Sequence, residues 1–350
     1  MRIIVIVACV AIVLAGALFG AGLYFSAPVF DERVSEPPDG AFDILPVSEA
    51  LTFARTKDGR LLLVRSADAD AIEAVDLGAA LDTVATDPLA ILRTHGYQRV
   101  AARLTGVAQA VPLEQLGMPF DPGYPHIAAG TNFRAHAEEV GLDEGPFLFP
   151  KLTRATAWDA RVPARTRLDY EVELCAVALG VYSADGPALL GFVLCNDFTD
   201  RWALLTEIDL DTPMGQSGFP DAKGGAGMLP IGPFLLVPSR DADFHRRLEI
   251  GLAVNDRLRQ RDSAGLMIWS PHEIALTALE NCEAPFVSTA GSHRLTPCDA
   301  IDEATLLLTG TPAGVAFHFL NIWRPGSYLR SGDRVLAYGS HLGVLRNTIE

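Results

Sequence analysis

The sequence predicts a mixed, β-rich α+β protein behind an N-terminal membrane helix. Three observations predict it. From about Pro125 onward, short apolar runs alternate with Gly/Pro turns. Few segments carry helical spacing, and many short strands with few helices point to a roll or sandwich. The chain also starts with a long apolar run that contains no charge.

That run, Ile3 to Phe25, is uncharged for 23 positions. As a helix rising about 1.5 Å per residue it would reach roughly 35 Å, enough for a bilayer. It exceeds the usual h-region of a signal peptide, and the best cleavage point, after Ala27, would leave Pro28 next. An uncleaved transmembrane anchor over residues 1–26 is therefore preferred to a cleaved signal. Arg2 is the one charge before the run, which places the N-terminus in the cytoplasm and the body outside, periplasmic if the host is bacterial.

Residues 27–122 read as a linker and a small N-terminal domain. The stretch "SAPVFDERVSEPPDGAFD" is rich in Pro and acid, as a linker would be. "GRLLLVRS" reads as a strand and "LAILRTHGYQRVAARL" as helical; no chemical motif appears here. Residues 123–350 form the main domain. Its strand-like runs include "DYEVELCAVALGVYS", "ALLGFVLCND", "GPFLLVP", "RLEIGLAVND", "TLLLTGTPAG" and "DRVLAYGSHLGVLRN". "SPHEIALTALENC" is the clearest helix, with Ser270 as N-cap and Glu273 three residues on.

A net charge of -15 on 350 residues removes the electrostatic footprint of a nucleic-acid binder. Four cysteines lie outside the anchor, with no CxxC or metal spacing. They are expected as buried free thiols, with Cys282 and Cys298 the nearest pair should a bridge form.

The chemistry concentrates in the main domain. In "RLDYEVELC", side chains alternate faces, so Asp169, Glu171 and Glu173 project together and Leu168, Tyr170, Val172 and Leu174 take the other face. In open solvent such a row means little; around a hard divalent cation it is a set of oxygen ligands. Asp197 ends the apolar strand "LLGFVLCND", with Arg201 close behind. His136 and Glu139 share a helical face in "NFRAHAEEV", a pairing suited to activating water. Lys223 sits in the Gly-rich turn "DAKGGAG", able to reach a carboxylate or enolate oxygen. Thr309, Gly310 and Thr311 form a turn at a strand end that can meet an anion. No G-x-S-x-G is present, which argues against a serine hydrolase.

Taken in order, these segments resemble the fumarylacetoacetate hydrolase family. The shared pattern is a G-x-N-x-x-x-H segment, D-Y-E-x-E-L, N-D-x-T-x-R, a K-G turn, T-G-T-P-x-G and a terminal G-x-L-x-N, spread over roughly residues 124–350. The resemblance implies an FAH-type β-roll, usually a homodimer. It implies Mg²⁺, or Mn²⁺ or Ca²⁺, on Glu171, Glu173 and Asp197, and a water-activating pair in His136 and Glu139. Lys223 is implied at the developing enolate, and Arg201 and Thr311 as substrate contacts. The implied activity is hydrolysis of a C–C bond in a 1,3-dioxo or 2-oxo carboxylate. The alternatives are isomerisation, decarboxylation or dehydration at the same centre, or a non-catalytic membrane-anchored binding module. Asp200, Trp202 and the turn "KGGAGM" depart from the pattern near the expected pocket. Asp169 has no role in this reading.

Overall fold

The computed structural model describes residues 2–25, 30, 32–142, 144–240, 243–318, 321 and 325–350. Its largest element is a ten-stranded sheet. This takes β1 (Ala50–Arg55), β2 (Leu61–Ala67), β3 (Ala71–Asp76), β4 (Ala108–Pro112), β5 (His126–Gly130), β6 (Phe147–Lys151), β8 (Val172–Ala178), β9 (Leu190–Asn196), β11 (Leu235–Pro238) and β16 (Leu306–Leu308). The spatial order is β4-β3-β2-β1-β11-β9-β8-β16-β5-β6. The strands of residues 50–112 thus continue the main-domain sheet, joined where β1 pairs antiparallel with β11.

A second sheet, of four strands, has the order β13 (Arg257–Ser263), β12 (Glu249–Val254), β17 (Arg334–Gly339), β18 (Gly343–Thr348). It packs on β8 and β9. Two short pairs complete the strands: β7 (Leu168–Asp169) with β10 (Thr199–Asp200), and β14 (Phe286–Ser288) with β15 (Gly291–His293). This β-rich α+β architecture agrees with the fold read from the sequence. The central position of β8 and β9 explains their composition: every residue of both strands is buried, so both faces must be apolar or internally paired.

The helices are few. α1 spans Arg2–Phe25. α2 (Leu77–Leu81) packs on β2 and β3, and α3 (Pro88–His95) packs against α4 (Tyr97–Ala101). The helical run expected around residues 89–104 is divided at Gly96, whose φ of 73° lies outside helical space. α5 (Arg134–Val140), α6 (Arg201–Glu207) and α7 (Phe219–Ala222) surround the carboxylates of β8 and β9. α8 (Pro271–Glu280) starts with the capping box expected from Ser270 and Glu273.

Two sequence expectations are corrected here. Among the described residues, no helix is long and apolar enough to cross a membrane. This overturns the transmembrane anchor, together with the membrane attachment and the localisation that rested on it. The four cysteines outside the N-terminal run are also not free thiols. Cys175 in β8 and Cys195 in β9 are bonded, with Cα atoms 5.8 Å apart on neighbouring strands. Cys282 and Cys298 are bonded as well. The first pair depends on strand register, which a sequence separation of 20 does not reveal.

Candidate active site

The acidic strand is interrupted. β7 ends at Asp169, β8 begins at Val172, and the backbone between them turns Glu171 toward β9. The turn is locked from both sides. Glu171 N–H donates to Asn196 Oδ1 at 2.9 Å, and Asp197 N–H donates to the Glu171 carbonyl at 2.9 Å. Val172 pairs with Asn196 in the ladder, so the acids at the ends of two adjacent strands converge. Carboxylate oxygens of Glu171, Glu173 and Asp197 all lie within 4.8 Å of one another, and all three residues are buried.

Three cations surround them. Lys223, at the C-terminus of α7, donates to Glu171 Oε2 at 2.5 Å and Asp197 Oδ2 at 2.6 Å. Arg201, the first residue of α6, bonds Asp169 Oδ2 through Nε at 2.9 Å and Glu171 through Nη2. Lys151, at the end of β6, lies 2.5 Å from Asp197 Oδ1 and donates to the carbonyls of Met228 (2.9 Å) and Phe198 (3.2 Å). The Gly after Lys223 is required by close approach, because a Cβ on Gly224 would meet the Pro220 carbonyl at 2.6 Å.

Lys151 is a site residue that the sequence reading missed. Its only signal is a lone lysine in the apolar run "FLFPK". Asp169, left without a role, also has one. It accepts from Arg201 and from the backbone N–H groups of Tyr170 (2.9 Å), Ala316 (2.8 Å) and Phe317 (3.0 Å). It therefore ties the strand, α6 and the loop after β16 together.

That loop supplies more of the frame. Gly310 N–H donates to Glu173 Oε2 at 2.8 Å. Gly310 has φ +87°, and a Cβ there would lie 2.9 Å from Asn132 Cβ. The anion that the "TGT" turn meets is thus the chain's own Glu173. The Thr311 hydroxyl donates to the Val172 carbonyl and accepts from Gln260 Nε2, both at 2.8 Å. It lines the cavity with one lone pair remaining. On α5, His136 Nδ1 lies 3.2 Å from Glu139 Oε2, and Gly314 N–H holds that carboxylate at 3.1 Å. His136 is 6% exposed and faces the same cavity as Glu171, Glu173, Arg201 and Lys223. All eight residues singled out from the sequence therefore gather at one place; Asp197 stands behind the cavity wall, paired with both lysines.

The departures from the family pattern do not enter the cavity. Asp200 caps α6, accepting from the N–H groups of Trp202 (3.0 Å) and Ala203 (3.3 Å). Trp202 is 45% exposed and stacks with Arg167, whose guanidinium lies 4.8 Å from the ring centre.

Electrostatics separates the acids. Burial alone would raise the Glu171 carboxyl, but Lys223 and Arg201 reverse this and hold it well below its ordinary value. Glu173 goes the other way, pushed well above by burial and by the neighbouring Asp197 and Glu171. Among the described residues Glu173 forms no ion pair, and four buried acids (Asp169, Glu171, Glu173, Asp197) face three buried cations (Lys151, Arg201, Lys223). A cluster of hard oxygen donors short of positive charge, with one under-compensated carboxylate, fits a divalent cation such as Mg²⁺ or Mn²⁺.

Comparison with known proteins bears on the family and the fold. Residues 125–350 match the description "Fumarylacetoacetate (FAA) hydrolase C-terminal". An uncharacterized protein of Pyrococcus abyssi is 31% identical over 66% of this chain and 95% of its own length. The oxaloacetate tautomerase YisK of Bacillus subtilis is 28% identical over 64% of this chain and 68% of its own. Among solved structures, a fumarylacetoacetate hydrolase from Exiguobacterium antarcticum superposes with TM-score 0.60 at 20% identity, covering 87% of this chain and 99% of that one. A maleylpyruvate hydrolase from Sphingobium sp. SYK-6, in complex with manganese(II) ion and pyruvate, gives TM-score 0.56 at 20% identity over 85% and 98%. At these identities the two structures speak to the fold.

Proposed function

The chain belongs to the fumarylacetoacetate hydrolase family, and on that premise we propose that it is a divalent-metal-dependent hydrolase of 1,3-dioxo or 2-oxo carboxylates. The observation that carries the proposal is that His136, held by Glu139, lines one cavity with Glu171, Glu173 and Lys223, and that the Asp197 carboxylate lies within 4.8 Å of both glutamates. Glu171, Glu173 and Asp197 would hold the ion, which when bound polarises the 2-oxo acid's carbonyl as a Lewis acid.

The rest of the work falls to the protein. Glu139, fixed by Gly314 N–H, orients His136 as the general base. His136 takes a proton from water as the water oxygen bonds to the distal carbonyl carbon. The C–C bond to the methylene then breaks, and its electron pair passes into the 2-oxo group as an enolate. Lys223 uses two of its N–H groups on Glu171 and Asp197; its third suits the enolate oxygen. Protonation at carbon completes the reaction, giving one carboxylic acid and one 2-oxo acid. The expected homodimer belongs to the same proposal, with exposed Leu266 (60%) and Ile268 (40%) as apolar surface for it.

A second reading has its own support, since relatives near 28% identity are named oxaloacetate tautomerases. In tautomerisation His136 would move a proton between carbon and oxygen without attack by water, using the same cation frame. Acylpyruvates and enol-oxaloacetate, assayed with Mg²⁺ and with EDTA, separate the two. Metal-dependent release of pyruvate and a carboxylic acid from the acylpyruvates supports hydrolysis. Loss of enol absorbance without pyruvate release selects tautomerisation.

A further inference from the structure

The lining of the cavity divides by burial. Every charged group that lines it, His136, Glu171, Glu173, Arg201 and Lys223, is buried. Its half-buried lining is apolar: Val140, Leu142, Phe147, Leu205, Ile208 and Met214. Leu210 stands at the mouth, 81% exposed.

The charge on the lining is already committed. Arg201 is engaged by Asp169 and Glu171, and Lys223 by Glu171 and Asp197. No other lysine or arginine lines this cavity among the described residues. A substrate carrying a second carboxylate on its distal arm would thus bury that charge against hydrocarbon without a partner, which is strongly unfavourable. An apolar arm in the same place would leave water for aliphatic and aromatic neighbours, which is favourable.

Resting on the 2-oxo carboxylate reading above, we infer that the substrate is a monocarboxylate: a 2-oxo acid whose distal arm is an apolar alkyl or aryl chain. The cavity volume of about 370 Å³ sets the size. At roughly 30 Å³ per water-sized group it holds about a dozen non-hydrogen atoms. The pyruvoyl head uses about six of these, leaving room for an arm of about six carbons. Leu210 at the open mouth lets longer arms continue along an apolar path.

The test is calorimetric binding to the full chain with saturating Mg²⁺, which needs no turnover. One series is pyruvate, 2-oxobutanoate, 2-oxohexanoate and 2-oxooctanoate; the other is 2-oxoglutarate and 2-oxoadipate. The expected result is affinity rising up to about fourfold per added methylene in the first series. The dicarboxylates should bind at least tenfold more weakly than monocarboxylates of matched length. Leu205→Arg, at a half-buried helix position, should flatten the chain-length trend and raise 2-oxoadipate affinity while far-UV circular dichroism stays unchanged. Dicarboxylates binding as tightly as monocarboxylates, or affinity independent of chain length, would overturn the inference and leave the 2-oxo acid reading standing. Absence of Mg²⁺-dependent binding by any member of either series would overturn both.

Discussion

Replacing Arg201 by Met removes one of three cations from a buried cluster of four acids. Arg201 is 4% exposed, and its guanidinium bridges Asp169 and Glu171. Breaking a buried pair by removing one partner costs about 3–5 kcal/mol, because the remaining charge stays buried. Here the residual acids differ. Asp169 keeps three backbone N–H donors and Glu171 keeps Lys223, so the lower end, about 3 kcal/mol, applies. With a urea slope of about 3 kcal/mol/M for a chain of this size, the unfolding midpoint should fall by about 1 M. The assay is urea unfolding in EDTA, followed by tryptophan fluorescence. Arg201→Lys should recover only part of the loss, since a single ammonium point charge does not reproduce a fork that reaches two acids. Saturating Mg²⁺ should shrink the deficit of Arg201→Met by returning positive charge. A midpoint within about 0.2 M of the wild type would refute the reasoning, because the guanidinium would then not be neutralising buried charge.

Further predictions concern other groups. His126 is buried and its imidazole is pushed down to about 3, first by burial and then by Lys151 and Arg154. A folded-state value below the unfolded 6.5 means stability present above pH 6.5 and lost as pH falls toward 3. At 1.36 kcal/mol per pH unit this costs about 3 kcal/mol between pH 6.5 and 4, and His126→Gln should be flatter in that window by that amount in urea unfolding. His136→Ala should lower kcat by at least about a hundredfold on whichever substrate is turned over, while Mn²⁺ affinity measured by calorimetry stays within a few fold. Replacing both Cys282 and Cys298 by Ser opens a loop with a sequence separation of 16. It should cost about 3 kcal/mol of stability on the loop-entropy scale without changing Mn²⁺ affinity; a coupled loss of metal binding would contradict the separation of that bridge from the site.

How much of this was legible in the sequence depends on how local the physics is. The capping box of α8 and the His136–Glu139 pair were readable because helical spacing alone sets them. Glu171, Glu173 and Asp197 were readable as an ordered set, although alternation misled on their surroundings. A strand with acids on one face suggests a solvated edge, whereas β8 lies inside the ten-stranded sheet and under the second one, so its acids are buried and paired. The role of Asp169, and Lys151 altogether, escaped the sequence for the same reason. Their partners, Arg201 with the 314–317 loop and Asp197 with two carbonyls, come from distant segments. The Cys175–Cys195 bond follows from strand register, again a tertiary fact. The N-terminal run shows the opposite failure, since apolar composition alone predicted an anchor and no described helix is long and apolar enough to be one.

The central claim is that Glu171, Glu173 and Asp197 form a divalent cation site beside the His136–Glu139 pair. Anomalous diffraction from crystals soaked in Mn²⁺ tests it most directly. The account predicts a single strong peak ligated by those three carboxylates, absent in Glu173→Gln crystals. A peak elsewhere, or a peak unchanged by Glu173→Gln, would contradict it.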